Sequence, residues 1–373
     1  MKNGIYKPAS EYADEGRPCL RMYNIDAGNI VWRDIRRMRV TEKEFSEYGL
    51  REGDLLVNRV NSRELVGKAA YIPASLEPSV FESKNIRVRL DTAKALPKFI
   101  NYQLFARGSR YFANNAQQVV GMASISQGQL ADFPIVLADT GEQQSIVAEI
   151  EKQFSRLDEA VANLRRVKSN LHRYERATIE GMTNPYSFKP SFVGTIAEIA
   201  TSLDNRREPV NKRERAKRPG NIPYLGANGQ TGWIDVPIFD EELVLVVEDE
   251  TFVGRTAPFC YYFSGKCWVN NHTHVLRAKP EMVTAKYLNL ALSYYPFIPL
   301  TTGSTGRRKL TKAALMAARI VVPSLKVQAD IVAEVERRLS IVREVETEVD
   351  ANLKRAQSLR QAILAKAFSG APT

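Results

Sequence analysis

The chain has 373 residues, enough for two or three domains of ordinary size, and its 44% apolar and 25% charged residues exclude wholesale disorder. No stretch nears the about 18 uninterrupted apolar residues of a spanning helix, and residues 1–16 lack the apolar centre of a secretory signal, so a cytoplasmic address with no membrane partner is expected. Three cysteines, an odd number in a large chain, argue against a disulfide framework, while a net charge of +11 asks for an anionic partner.

Taken in chain order, residues 1–141 carry a net charge of +4, 142–182 are neutral, 183–326 carry +7 and 327–373 are neutral. These are also the expected domains: two basic, strand-rich blocks, each followed by a long helix, the second helix ending in a short tail. The first block has predicted strands at 54–57 and 86–90 and a short helix near Tyr102; the second has strands at 243–247 and 274–277 and a helix near Tyr287. In the first long helix Ile146, Ile150, Phe154, Leu157, Val161, Leu164, Val167, Leu171 and Tyr174 recur at spacings of three and four. Ile331, Val335, Leu339, Val342, Val345, Val349, Leu353, Ala356 and Leu359 do the same in the second. Two stripes this narrow predict an antiparallel coiled-coil pair within the chain. A helix of about 35 residues spans roughly 52 Å, so the pair reads as a spacer between two anion-binding surfaces.

The halves repeat each other at a constant offset of 185 positions. Tyr102 matches Tyr287, Gly121 matches Gly306, Gln143 matches Gln328, and Ile146-Val147-Ala148-Glu149 recurs identically from Ile331. Ala162-Asn163-Leu164 meets Ala351-Asn352-Leu353 only at an offset of 189, which predicts four extra residues in the second helix.

This duplicated layout resembles the specificity subunit of type I restriction-modification systems. The residues that carry the likeness are the run from Gly121 (GMASISQGQLADFPIV), the QQSIVAEI entry into the first long helix, the second copy of both, Ile222-Pro-Tyr-Leu-Gly-Ala-Asn-Gly229 and Trp268-Val-Asn-Asn-His-Thr-His-Val275. The resemblance implies an α+β fold in which two strand-rich target recognition domains are separated by two long antiparallel coiled-coil helices, with an internal pseudo-twofold repeat. It also implies a non-catalytic subunit that reads a bipartite, asymmetric double-stranded DNA target and docks two methyltransferase subunits and the restriction subunits. S-adenosylmethionine would belong to the N6-adenine methyltransferase, and ATP and Mg to the restriction subunit, leaving this chain with no cofactor. The sequence departs from the family pattern at its start: only 17 residues precede Pro18, against a long lead-in before its counterpart Pro223, so the first domain is expected to lack its opening strand and part of a loop.

Phosphates are expected to meet Arg206, Arg207, Lys212, Arg213, Arg215, Lys217 and Arg218, a basic run flanked by Pro209 and Pro219, and Arg307, Arg308 and Lys309 after a glycine turn. Reading base edges needs paired donors and acceptors. The candidates are Arg59, Asn61, Arg63, Lys84, Asn85, Asn114, Asn115, Gln117 and Gln118 in the first block, and Asn228, Gln230, Thr231, Arg255, Asn270, Asn271 and His272 in the second. Cys260, Cys267, His272 and His274 lack the spacing of zinc ligand pairs, and no metal is expected. Asn184-Pro-Tyr-Ser187 is similar to an adenine-methyltransferase tetrapeptide but lacks its second proline and any glycine-rich cofactor loop, so it reads as a linker. A stand-alone nuclease or methyltransferase, or a protein scaffold without active partners, are the alternative readings.

Overall fold

A computed structural model of the chain describes residues 1–119, 121–250, 252, 254–303 and 308–369. The chain divides into two units, residues 1–164 with 351–373, and residues 165–350.

In unit 1 the strands β1 (Lys2–Asn3), β2 (Leu55–Asn58), β3 (Ala69–Tyr71) and β4 (Asn85–Val88) form an antiparallel sheet in the order β1-β4-β2-β3. Alternation decides which residues meet: Leu55, Val57, Ile86 and Val88 enter one core, while Leu56 and Ala70 enter a second cluster on the opposite face. The helices α1 (Pro97–Gln103) and α2 (Gln127–Ala131) follow, then the 43-residue α3 (Thr140–Met182).

Unit 2 repeats the plan. After β5 (Phe192–Thr195) and α4 (Ile196–Ile199) come β6 (Ala200–Ser202), β7 (Ile222–Gly226), β8 (Gly229–Ile234), β9 (Phe239–Val247), β10 (Cys260–Val269) and β11 (Thr273–Ala278). These last six form one sheet in the order β6-β11-β9-β10-β7-β8. Then follow α5 (Ala285–Ser293), β12 (Arg308–Lys309), α6 (Lys312–Ala317), β13 (Arg319–Val322) and the 43-residue α7 (Leu325–Ala367). By order and pairing β6 corresponds to β1. The strand β5, which pairs antiparallel with β13, has no counterpart among the described residues of unit 1.

Buried amides fasten each long helix to its own sheet domain. The Gln143 side chain accepts from Leu96 N–H at 2.8 Å and donates to the carbonyls of Lys94 and Ala138. Gln328 accepts from Thr284 N–H at 2.9 Å and donates to Met282 and Pro323. Leu96 and Thr284 are the N-caps of α1 and α5, so the same clamp sits at the same joint twice. A lysine–carboxylate pair repeats beside it, Lys98 with Glu151 and Lys286 with Glu336. Replacing Gln328 by leucine would leave a buried N–H and two carbonyls unsatisfied. We expect a loss of about 1–3 kcal/mol, seen as a lower urea midpoint, with Gln143→Leu giving a similar loss.

The long helices run antiparallel within each unit. In unit 1 the Arg360 guanidinium pairs with Asp158 and lies 4.6 Å from the Phe154 ring centroid; in unit 2 Lys168 reaches Asp350 at 2.8 Å and Glu346 at 3.5 Å. One expectation is corrected. Both helices have 43 residues, and residues Ile179 and Leu364, buried near their C-terminal ends, stand 185 apart, so the second helix is not longer. Beyond Leu359, which is half exposed, the second stripe continues to Leu364 and Phe368, the latter edge-on to Phe99. Elsewhere Val167, Tyr174 and Val345 remain exposed, because the stripes are wider than one partner helix covers.

Candidate nucleic-acid interface

The basic run 206–218 leaves the sheet of unit 2 and is pinned by aromatics. Trp268 Nε1 donates to Glu208 O at 2.9 Å, and the Tyr224 hydroxyl donates to Val210 O at 3.0 Å. Arg215 lies over the Tyr224 ring at 4.2 Å, and Arg218 over Trp268 at 4.7 Å while paired with Asp235. Arg206 pairs with Glu241 and stacks on Phe239. That leaves Lys212, Arg213 and Lys217, exposed on and just after a single helical turn (Lys212–Arg215) capped by Asn211 and Glu214; among the described residues their side chains have no partner. The seven cations expected on phosphates therefore divide into docked arginines and three free charges.

Arg207 belongs to a buried charge cluster. Its guanidinium donates to Glu248 at 2.5 Å and to Thr273 O at 2.7 Å. His274 places Nδ1 2.6 Å from Asp204 Oδ2 and Nε2 2.8 Å from Leu310 O, and Lys309 reaches Glu248 at 3.2 Å. A carbonyl only accepts, so Nε2 donates. Burial alone would raise the Asp204 carboxyl, but hydrogen bonds from His274 and Val275 N–H and the Arg207 charge outweigh it and hold it below the usual carboxylate range. Glu248 is lowered in the same way, burial being overcome by Arg207, His274 and Lys309. Ligand atoms of Asp204, Glu248 and His274 lie within 4.8 Å of one another, yet Arg207 and Lys309 already supply the positive charge. The cluster joins the start of the basic run to β12 and the residue after it. Lys309 is engaged there, Arg308 donates to Thr301, and Arg307 lies outside the described residues.

The amides of unit 2 gather at one end of its sheet. Asn228, in the β7–β8 turn, accepts from Arg255 at 2.9 Å, and Asn270 N–H donates to Leu225 O at 3.0 Å. The Asn270 side chain accepts from His272 N–H and the Thr273 hydroxyl, shaping the β10–β11 turn that exposes Asn271 and His272. Gln230 and Thr231 lie on β8, Gln230 bonding to Gly232 O and Thr231 to Tyr224 O. Cys260 and Cys267 are buried, and burial pushes both thiols up to about 12, which disfavours the thiolate a metal needs.

In unit 1 a small sheet of Gln117–Val119, Met122–Ser124 and Val60–Asn61 assembles most of the remaining candidates. Gln117 and Gln118 are exposed on its outer strand, and Asn114 and Asn115 at the end of the preceding helix. Arg63 donates to Ala113 O at 3.0 Å and Arg59 to Ser83 O at 3.3 Å, while Lys84 is half-buried. Asn61 and Asn85 are buried in an amide chain, Asn61 donating to Asn58, and Asn58 to Asn85, whose own amide donates to Leu20 O. Amides so engaged hold a turn together and offer little to a base edge. Arg33, Arg36 and Arg39, which the sequence reading did not single out, are exposed in unit 1, as are Tyr23 and Trp32, 60% and 49% exposed. The signal was there, as six arginines fall between residues 17 and 39.

Residues 188–351 match the family model described as "Type I restriction modification DNA specificity domain". By this match and by the relatives below, the chain is similar to the specificity subunits of type I restriction-modification systems. The chain is 38% identical over 138 residues to a putative type I restriction enzyme specificity subunit of Haemophilus influenzae, covering 36% of this chain and 34% of that one. It is 30% identical over 161 residues to the type I restriction enzyme EcoKI specificity subunit of Escherichia coli, covering 42% and 34%. These matches thus span about a third of the relatives' length; a specificity subunit of Methanocaldococcus jannaschii aligns over 88% of this chain and 81% of its own, at 24% identity. Among solved structures, the fold matches a chain from work on complex assembly and conformational transition of the type I R-M system (TM-score 0.67, 18% identity, 98% and 95% covered). It also matches the HsdS subunit from Thermoanaerobacter tengcongensis (TM-score 0.51, 18% identity, 99% and 95% covered).

Proposed function

We propose that this subunit reads a split, asymmetric duplex target, one half through each unit, while the long helices set the gap and dock two methyltransferase subunits. Those partners would flip out and N6-methylate adenine with S-adenosylmethionine, and restriction subunits using ATP and Mg would join the assembly. The chain itself contributes recognition and no chemistry, and works in the cytoplasm. The observation that carries this reading is the duplicated joint: the Gln143 and Gln328 clamps and the two lysine–glutamate pairs fasten a sheet domain to a long helix in the same way twice. Two readers so mounted suit a target in two parts. Lys212, Arg213 and Lys217 would lie on phosphates, and the turns carrying Asn228, Arg255, Asn271 and His272 on base edges of one half-site. Gln117, Gln118, Asn114 and Asn115 would take the other.

The test is methylome sequencing of cells that express the subunit with its neighbouring methyltransferase. A bipartite adenine-methylated motif is expected, and exchanging residues 183–326 for those of a relative should change one half only. Absence of a motif, or a change in both halves, overturns the reading.

A further inference from the structure

The excess positive charge of the first block lies in one segment of unit 1. Residues 17–39 hold six arginines against Asp26 and Asp34, a net +4 that equals the whole excess of residues 1–141. The segment is firmly built. Strand Arg17–Leu20 leads through a short hairpin, Ile25–Asp26 with Asn29–Ile30, to strand Arg36–Met38, which pairs antiparallel with the first. Buried Asn24 ties the middle together: its side chain donates to the carbonyls of Val31 at 3.1 Å and Arg33 at 2.7 Å, and its own carbonyl accepts from Val31 N–H. The six arginines then divide as the cations of 206–218 do. Arg17 lies over the Phe45 ring at 4.3 Å, Arg21 lies over Tyr23 at 5.6 Å while donating to Asp34 O, and Arg37 makes a two-pronged pair with Glu77. Arg33, Arg36 and Arg39 are exposed, and among the described residues their side chains have no partner.

The internal repeat provides a control for these charges. Strand Arg17–Leu20 pairs in parallel with Val80–Phe81, as β7 pairs in parallel with the end of β10, so the two strands correspond. In unit 2 the free cations Lys212, Arg213 and Lys217 precede that strand; in unit 1 Arg33, Arg36 and Arg39 follow it. Residues 235–241, which come after β8 in unit 2, contain no cation at all. The shared plan therefore folds without charge at this place, and the arginines of unit 1 are not needed to hold it. Grouping them costs self-repulsion that an anion would relieve.

We propose that Arg33, Arg36 and Arg39 are the phosphodiester-binding residues of unit 1 and hold the backbone of a duplex there. The proposal rests on the recognition reading above and adds a site to it. Gln117, Gln118, Asn114 and Asn115 carry no charge, so base-edge candidates of this kind need a backbone contact from elsewhere in the unit to fix their register. Both groups stand on one framework: the buried amide chain Asn61–Asn58–Asn85 runs from the small sheet of Gln117 and Gln118 to Leu20 O, at the end of the strand that pairs with Arg36. A guanidinium also matches two phosphate oxygens at once, which an ammonium does not. The two units thus grip backbone from different places on a common plan.

The probe is a fluorescein-labelled duplex of mixed sequence, titrated with the full chain over a salt series and followed by anisotropy. Arg33→Ala/Arg36→Ala/Arg39→Ala should bind at least about tenfold more weakly at about 0.15 M salt and reduce the slope of log affinity against log salt by about 2.7, some 0.9 for each phosphate released. Arg33→Lys/Arg36→Lys/Arg39→Lys should keep the slope, and both variants should melt with wild type because the three side chains are exposed and unpartnered among the described residues. A steep salt dependence in wild type with the same slope in the alanine variant overturns the proposal and leaves the recognition reading standing. A wild type that does not bind the duplex overturns the recognition reading as well. The labelled single strand separates the two sources of phosphodiester: a loss confined to it would assign the arginines to unpaired strands and overturn the assignment to duplex.

Discussion

Replacing Lys212, Arg213 and Lys217 with alanine should weaken duplex binding about a hundredfold at about 0.15 M salt and reduce the slope of log affinity against log salt by about 2.7, some 0.9 for each phosphate no longer neutralised. These three side chains are the uncommitted charges of the basic run, and they sit on a turn whose shape is maintained by other residues: Asn211 and Glu214 cap it, and Arg215 and Arg218 dock on Tyr224 and Trp268. The loss should fall equally on cognate and non-cognate duplexes, because phosphate contacts carry no sequence information. Anisotropy over a salt series on both duplexes measures it. An unchanged slope would mean that the run does not lie on the backbone.

Removal of the Asp204 carboxylate should have the largest effect on stability. Asp204→Ala takes the acceptor from His274 and one partner from Arg207, stranding positive charge in the interior at a cost of about 3–5 kcal/mol, visible as a lowered urea midpoint. The pH dependence has a definite sign. The Asp204 and Glu248 carboxyls are held below their ordinary range in the folded chain, so their stabilisation is present above that range and is lost as pH falls through it and below. Wild type should therefore melt progressively earlier below about pH 4, near the unperturbed carboxylate values. Asp204→Asn/Glu248→Gln should begin less stable and show a shallower fall. Parallel curves would show that these two groups do not govern the acid transition.

The elements that the sequence made legible are those with a period. The strands at 54–57, 86–90, 243–247 and 274–277 overlap β2, β4, β9 and β11, and both long helices lie where their apolar spacing put them. The match of Gln143 with Gln328 was also visible, but its meaning was not, since a repeated glutamine reads as polar surface until α1 and α5 bring backbone groups around it. The burial of Asn61 and Asn85 was not legible for the complementary reason. Asparagine is common in exposed turns, and nothing local indicates that Asn58 lies between two strands and draws both amides inward. The charge cluster escaped notice because Asp204, Glu248 and His274 come from three distant stretches, and only the pairing of β9 with β11 brings the last two together. Counting cations in 206–218 could not separate docked from free, because that depends on which rings lie beneath them.

The glutamine clamp also constrains how such a chain can diversify. A helix bonded at its root to fixed carbonyls can neither spin nor slide there, so each residue inserted further along rotates whatever lies beyond by about 100° and carries it about 1.5 Å onward. Two inserted residues would swing the distal face by about 200°, nearly reversing its azimuth, whereas seven would return it to within about 20°. Viable changes of length are therefore quantised in near-whole turns, and neutral drift by single residues is closed to both helices.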